Sequence, residues 1–132
     1  MSKVTVFGAG AWGSTMAQVL CDAGNEVLLW GRNQEVVDEI NGSHTNSKYL
    51  ARHILPMELK ATSNLDEAFA FSQSYVLAIP SSQLRQTLTD WKSRFSEGCL
   101  VVSTLKGIEI STQLRMTEVI VSTASLAASA AT

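Results

Sequence analysis

Apolar and polar positions switch between two periods along the 132-residue chain, and the switches mark its elements. Lys3 to Phe7 is a short β-branched apolar run, the pattern of a buried strand. Glycines interrupt it at positions 8, 10 and 13. Trp12, Met16, Val19, Leu20 and Ala23 then recur at i, i+4, i+7, i+8 and i+11, one face of a helix, and Gly24 stands where a closing glycine belongs. Glu26 to Trp30 is a second strand. Val36, Val37 and Ile40 give a short helical stripe with Asn33 as its N-cap. From 42 to 58 the regularity lapses: Gly42, Ser43, Thr45, Asn46 and Ser47 read as a loop, and Pro56 opposes a helix. A connection this long in a compact domain is often a functional one.

Asn64 and Glu67 are spaced as a capping box that opens a helix through Phe71. Tyr75 to Ile79 is a further strand, stopped by Pro80. Leu84, Leu88, Trp91 and Phe95 predict a helix from Ser82 to Phe95, closed by Gly98. Cys99 to Thr104 is the next strand and ends at Lys106-Gly107. A last helix is expected over Thr112 to Val121. Residues 122–132 hold only Ser, Thr, Ala and one Leu, a low-complexity tail that either extends the last helix or frays and carries no identifiable chemistry. No internal repeat is present. Strands separated by helices by right-handed crossovers make an α/β fold, here a Rossmann-type doubly wound parallel sheet in a single domain over residues 1–121.

Composition narrows the function. Hydrophobic residues are 45% and charged residues 17% of the chain, a globular balance. The net charge of −2 and the scattered Lys and Arg residues offer no basic surface for a nucleic acid, so no nucleic-acid partner is expected. Cys21 and Cys99 match no metal or redox spacing and read as reduced core thiols; no metal site is expected. No signal peptide and no run of about 18 apolar residues is found, so a cytoplasmic protein without a membrane span is expected.

The chemistry concentrates in Gly8-Ala9-Gly10-Ala11-Trp12-Gly13. A lone GxGxxG is a weak signal, but this one leaves a predicted strand and opens a predicted helix. Gly8 permits the tight turn, Gly10 the approach of a pyrophosphate, and Gly13 close helix–strand packing. The free N–H groups and positive dipole end of the helix suit phosphates. A P-loop is excluded by the missing Gly-Lys-Ser/Thr, and no suitably spaced strand Lys supports a kinase loop. About 20 residues on, an NAD site places an acid at the tip of the second strand. Here the tip reads Trp30-Gly31-Arg32-Asn33. Arg32 is suited to a 2′-phosphate or to stacking on adenine, which favours NADP, while Glu35 leaves NAD use open. At other strand ends, Ser81 and Ser82 are read as capping residues and Lys106 as a candidate for holding a substrate oxygen. His44 and His53 are read as surface residues.

Together these segments resemble bacterial-type NAD(P)-dependent glycerol-3-phosphate dehydrogenase: Val6 to Gly13, Leu29-Trp30-Gly31-Arg32, Asn46-Ser47-Lys48-Tyr49-Leu50, Leu77 to Ser81, and Ser103 to Glu109. The likeness covers about residues 3–121, and the combination is far more specific than any one piece. It implies an enzyme of glycerophospholipid synthesis that interconverts sn-glycerol 3-phosphate and dihydroxyacetone phosphate with NADP or NAD. It implies that Ala11, Trp12, Arg32, Asn33 and Tyr49 line the cofactor site and that Lys106 touches both nicotinamide and substrate. Position 11 is frequently Ser in the family, so Ala11 is left with its backbone N–H.

The family's second, helical domain supplies the Lys that acts as general base and most of the substrate-phosphate groups, and the tail here does not resemble its beginning. No catalytic residue is therefore assigned within the chain, which is expected to bind cofactor weakly and turn over negligibly alone. The expected partners are the small-molecule substrates, with a homodimer as candidate assembly. Two other readings stay open: a non-catalytic NAD(P)-binding module or truncated product, and a hydroxyacid or ketopantoate type dehydrogenase. Trp12, Trp30-Gly31-Arg32 and Lys106-Gly107-Ile108-Glu109 argue against the latter.

Overall fold

The computed structural model describes residues 1–124, 126, 131 and 132. The chain opens with β1 (Lys3–Phe7), α1 (Ala11–Asp22), β2 (Glu26–Trp30) and α2 (Gln34–Ser43). A small hairpin follows, β3 (Thr45–Asn46) and β4 (Leu50–Ile54), then β5 (Lys60–Thr62) and α3 (Leu65–Phe71). The second half holds β6 (Ser74–Leu77), α4 (Leu84–Trp91), β7 (Leu100–Ser103) and α5 (Met116–Ala124), with single 3-10 turns at Ser81–Gln83 and Lys92–Arg94. Five strands pair in parallel in the order β5-β2-β1-β6-β7, while β3 and β4 pair antiparallel apart from them. This is the doubly wound α/β sheet expected. Its order reverses between β1 and β6, the point at which such sheets bind ligands.

Alternation along the strands feeds two cores. Val4, Val6, Leu29 and Val76 point to one face, where Ala17 and Cys21 of α1 and Val36, Val37 and Ile40 of α2 cover them. Phe7, Tyr75, Leu77 and Val101 point to the other, against Phe69, Leu84, Leu88, Trp91, Val119 and Ile120. The second core is strongly aromatic: Phe7 lies 5.1 Å and Trp30 5.2 Å from Trp91, ring centre to ring centre, the latter pair edge-on.

Several expectations need correction. The apolar stripe of α1 is not its main packing face: Trp12 and Val19 are 56% and 54% exposed, Leu20 packs only partly against the core, and Gly13, Ser14, Ala17 and Cys21 are buried instead. The helix sits so close to the sheet that only small side chains fit beneath it. Gly42 and Ser43 belong to α2, whose turn ends on His44 in the left-handed region (φ 56°). The supposed loop over 42–58 holds a hairpin, and just after it comes the unforeseen edge strand β5, which at three residues is too short to show a period. The capping box at Asn64 is only half formed. Asn64 accepts from Asp66 and Glu67 N–H, but Glu67 turns to the Thr62 hydroxyl, and that hydroxyl accepts from Asn64 N–H. Ser82 caps nothing, since neither the 3-10 turn nor α4 has a side-chain cap. The last helix starts at Met116 rather than Thr112; it runs to Ala124, so the first three tail residues extend it, one of the two courses the sequence left open. Beyond it, Thr132 N–H bonds to the Val101 carbonyl (2.9 Å), and Ala131 pairs in parallel with Val101. The tail reading for residues 125 and 127–130 lies outside the described residues.

Candidate functional site

The register of the sheet puts one edge to use. Phe7 pairs with both Trp30 and Leu77, and Leu77 pairs with Ser103, so four strands end level. The next residues tie that rim together: Gly8 N–H bonds to Trp30 O, Ala78 N–H to Phe7 O, and Thr104 N–H to Leu77 O (2.8–3.2 Å). The loops that leave the rim surround a cleft of about 760 Å³.

Three glycines shape its floor for different reasons. Gly8 has φ +116°, and a Cβ there would lie 2.5 Å from the Ala78 carbonyl oxygen. A Cβ on Gly13 would lie 1.7 Å from the Gly8 oxygen, so the start of α1 rests directly on the loop. Around Gly10 a Cβ would meet no protein atom within 4 Å. The fold itself supplies no steric reason for glycine at position 10.

The N-terminus of α1 faces this space without a side-chain cap and without an acidic residue in its first turn. The amides of Ala11, Trp12 and Gly13 precede any i−4 carbonyl and are available to an anion. The other walls are cationic. Arg32 from the tip of β2, Lys48 from the hairpin and Lys106 beyond β7 line the cleft, and among the described residues no Asp or Glu does, although the chain as a whole is acidic. Glu35, weighed as a ribose ligand, is not among the lining residues. It lies in the first turn of α2, where its N–H donates to the Asn33 side chain at 2.9 Å.

Gly8, Gly10, Ala11, Trp12, Arg32, Asn33, Tyr49 and Lys106 all line the cleft, and Gly13 supports it from below. Lys48, Ser81, Gln83, Thr87 and Thr104 line it as well. Gln83 and Thr87 were legible in principle, since they sit one position before Leu84 and Leu88 and so flank the buried stripe of α4. Lys48 had the signal of its neighbour Tyr49, over whose ring its ammonium lies at 5.4 Å. His44 and His53 stay outside: His44 closes α2, and exposed His53 meets Gln18.

Two braces tie segments of the rim to neighbouring helices. Arg85 of α4 grips Glu109 in a two-pronged pair, with Nη2 to Oε1 at 2.8 Å and Nε to Oε2 at 2.9 Å, three residues past Lys106. Hydrogen bonding from Arg85, then from Thr112, holds the Glu109 carboxyl below its ordinary range. On the opposite side, Glu39 of α2 accepts from Thr45 Oγ1, Ser47 N and Ser47 Oγ at 2.7–3.0 Å, which clamps the hairpin onto that helix. The Ser47 amide, then the two hydroxyls, lower the Glu39 carboxyl as well.

The buried thiols take no part. Burial first, then Glu58 and Asp22, push Cys21 up to about 11, and burial raises Cys99 too. Among the described residues no group of three or more His, Cys, Asp or Glu could hold a metal, and no helix is long and apolar enough to cross a membrane.

Comparison with known proteins agrees with this geometry. A family model described as NAD-dependent glycerol-3-phosphate dehydrogenase N-terminus matches residues 3–131. A glycerol-3-phosphate dehydrogenase [NAD(P)+] of Corynebacterium glutamicum is 48% identical over 120 residues, 91% of this chain and 36% of that protein. One from Mycobacterium bovis is 44% identical over 121 residues, 92% and 36%. The chain thus spans about a third of the length of these curated relatives. The crystal structure of glycerol-3-phosphate dehydrogenase from Coxiella burnetii superposes with a TM-score of 0.83 at 26% identity, over 93% of this chain and 38% of that one.

Proposed function

The chain belongs to the family of NAD-dependent glycerol-3-phosphate dehydrogenase N-termini, and on that premise we propose that it is the cofactor-binding part of an oxidoreductase interconverting sn-glycerol 3-phosphate and dihydroxyacetone phosphate. The observation that carries the reading is the cleft itself: an uncapped helix start, three cations and no carboxylate among the lining residues. A dinucleotide's phosphates match that charge pattern. The cofactor, NADP or NAD, supplies the hydride chemistry, and the chain's residues supply its placement.

In this reading the first-turn amides from Ala11 to Gly13 hold the pyrophosphate, and Gly10 lets it approach. Arg32 takes the 2′-phosphate of NADP or stacks on adenine, with Asn33 and Tyr49 beside it. Lys106 holds the nicotinamide end and the substrate oxygen, on a segment braced by Arg85 and Glu109. Its ammonium donates to that oxygen and favours the negative charge that grows there during hydride transfer. The remaining substrate contacts and the proton-transferring group are placed on the portion of the relatives beyond this match. We further assign the enzyme to the cytoplasm, to glycerophospholipid synthesis and to a homodimer.

Titration of the purified chain with NADPH and NADH, followed by tryptophan fluorescence, tests the reading. Saturable binding of both is expected, with Arg32→Ala weakening NADPH by about tenfold and NADH by about twofold or less. No binding of either at millimolar concentration overturns it. The chain alone is expected to consume NAD(P)H negligibly with dihydroxyacetone phosphate. Turnover near that of a full-length relative overturns the placement of the proton-transferring group outside it.

A further inference from the structure

The hairpin behind the cleft carries a residue that reaches the glycine loop from the protein side. Asn46 of β3 is fully buried, a setting in which an amide side chain is found only with a task. Its Nδ2 donates to the Ala9 carbonyl at 2.9 Å and to Ser14 Oγ at 3.0 Å. Of the two ends of the amide only the nitrogen can donate to a carbonyl, so both hydrogens of Nδ2 are committed and Oδ1 is left without a partner. The arrangement sacrifices an acceptor in order to hold Ala9.

Holding that carbonyl has a defined consequence. The Ala9–Gly10 peptide is planar and trans, so its C=O and N–H point to opposite sides. With the carbonyl drawn to Asn46, the Gly10 N–H is turned away from the hairpin. The loop is pinned from a second direction as well, because Ala9 Cβ fills the space that a side chain on Gly31 would need, at 2.7 Å. The hairpin's attachment to α2 is separate. Thr45 and Ser47 bind Glu39, and Asn46 between them faces the glycine loop.

We propose that Asn46 is a positioning residue for dinucleotide binding, which acts through the Ala9 carbonyl to fix the orientation of the pyrophosphate-binding turn. This rests on the reading of the cleft as an NAD(P) site. Asn46 touches no ligand; it removes from the turn the freedom to rotate its first peptide, so that freedom is not lost on binding.

The test compares two probes on the same proteins: NADPH, which has a pyrophosphate, and 2′-AMP, which shares the phosphorylated adenosine end and lacks it. Asn46→Ala is expected to weaken NADPH by about tenfold, the scale of one positioning hydrogen bond, and to leave 2′-AMP within about twofold. Ser14→Ala removes the other acceptor of Nδ2, keeps the bond to Ala9, and is expected to leave both probes within about twofold. Asn46→Asp has no donor when ionised. It is expected to lose NADPH affinity at pH 8 and to regain it, relative to the unaltered chain at the same pH, as acid protonates the carboxyl.

Unchanged NADPH binding by Asn46→Ala overturns the proposal. So does an equal loss of both probes, which marks Asn46 as merely structural, or a loss in Ser14→Ala as large as in Asn46→Ala. If Asn46→Ala does not fold, the pH recovery of Asn46→Asp decides: recovery supports the role and its absence overturns it. Failure of the unaltered chain to bind NADPH overturns the NAD(P) reading and this inference with it.

Discussion

Three helices of this protein begin just after a strand of the main sheet, and they do not begin alike. α2 and α3 are closed by asparagines: Asn33 accepts from Glu35 N–H, and Asn64 from Asp66 and Glu67 N–H. Both also place acids in the first turn, Glu35 in one and Asp66 and Glu67 in the other. Those helices have satisfied their own orphan amides and balanced their own dipoles. α1 has neither device. Its cap is Gly10, and its first turn is Ala11-Trp12-Gly13. This helix of twelve residues leaves its positive end uncovered at the reversal point of a parallel sheet, and in the function proposed above the dinucleotide's phosphates complete it. The two closed helices show that the chain has the means to cap; α1 goes without them where it opens directly from the rim, and α4, which starts behind a 3-10 turn, goes without them as well.

The largest effect should come from forcing the open end out of its seat. Gly13→Ala puts a Cβ against the Gly8 carbonyl and should cost about 3 kcal/mol of stability, read by thermal or urea unfolding. Gly10→Ala meets no protein atom and should cost about 1 kcal/mol or less while abolishing NADPH binding. Equal destabilisation by the two would break the distinction between a glycine needed by the fold and one needed by the ligand.

Making α1 resemble its neighbours is the next test. Ala11→Glu gives the helix the first-turn acid that α2 and α3 have. Stability should rise by about 0.3–1 kcal/mol while NADPH affinity falls about tenfold, and added salt should shrink both changes. An affinity that holds or improves would show that the open end does not face the phosphates.

The converse change opens a closed helix. Asn64→Ala should lose about 1 kcal/mol, a shift of about 4 °C in the unfolding midpoint, with NADPH binding unchanged. The smallest effect concerns the clamp on the hairpin. Glu39 has a folded-state pKa below its ordinary 4.5, so its contribution is present above that value and is lost as pH falls through it toward the folded pKa. Glu39→Gln should be less stable near neutrality and show a shallower loss on acidification below about pH 4.5, followed by unfolding midpoint against pH.

The parts of this fold that were legible in sequence are those in which one local rule acts alone. The strand runs at Val4–Phe7 and Val27–Trp30 face both layers and are apolar but for the buried Thr5, and the stripe Leu84, Leu88 and Trp91 is buried as its spacing implies. The glycine loop announced itself because its context on both sides was visible. The stripe of α1 misled because size and burial parted company there. Close approach to Gly8 admits only Gly13, Ser14, Ala17 and Cys21, a face with little hydrophobic signal, and turns Trp12 outward. β5 was missed because three residues of edge strand carry no period, and Asn46 because its partners, 32 and 37 residues away, are set only by the tertiary fold. The absence of carboxylates from the cleft was equally invisible, since it is a property of which loops meet at one rim.

The two free cysteines lie on opposite sides of the sheet, Cys21 among the residues beneath α1 and α2 and Cys99 among the aromatic side chains beneath α3, α4 and α5. Each layer therefore contains one chemical clock of its own. A thiol held protonated by burial does not react with an alkylating reagent until its surroundings open. The rates at which the two sites are labelled under native conditions thus report separately how often each half of the molecule breathes. A ligand seated on the rim common to both layers should slow the two clocks together, and one that tightens only the glycine-loop side should slow Cys21 alone.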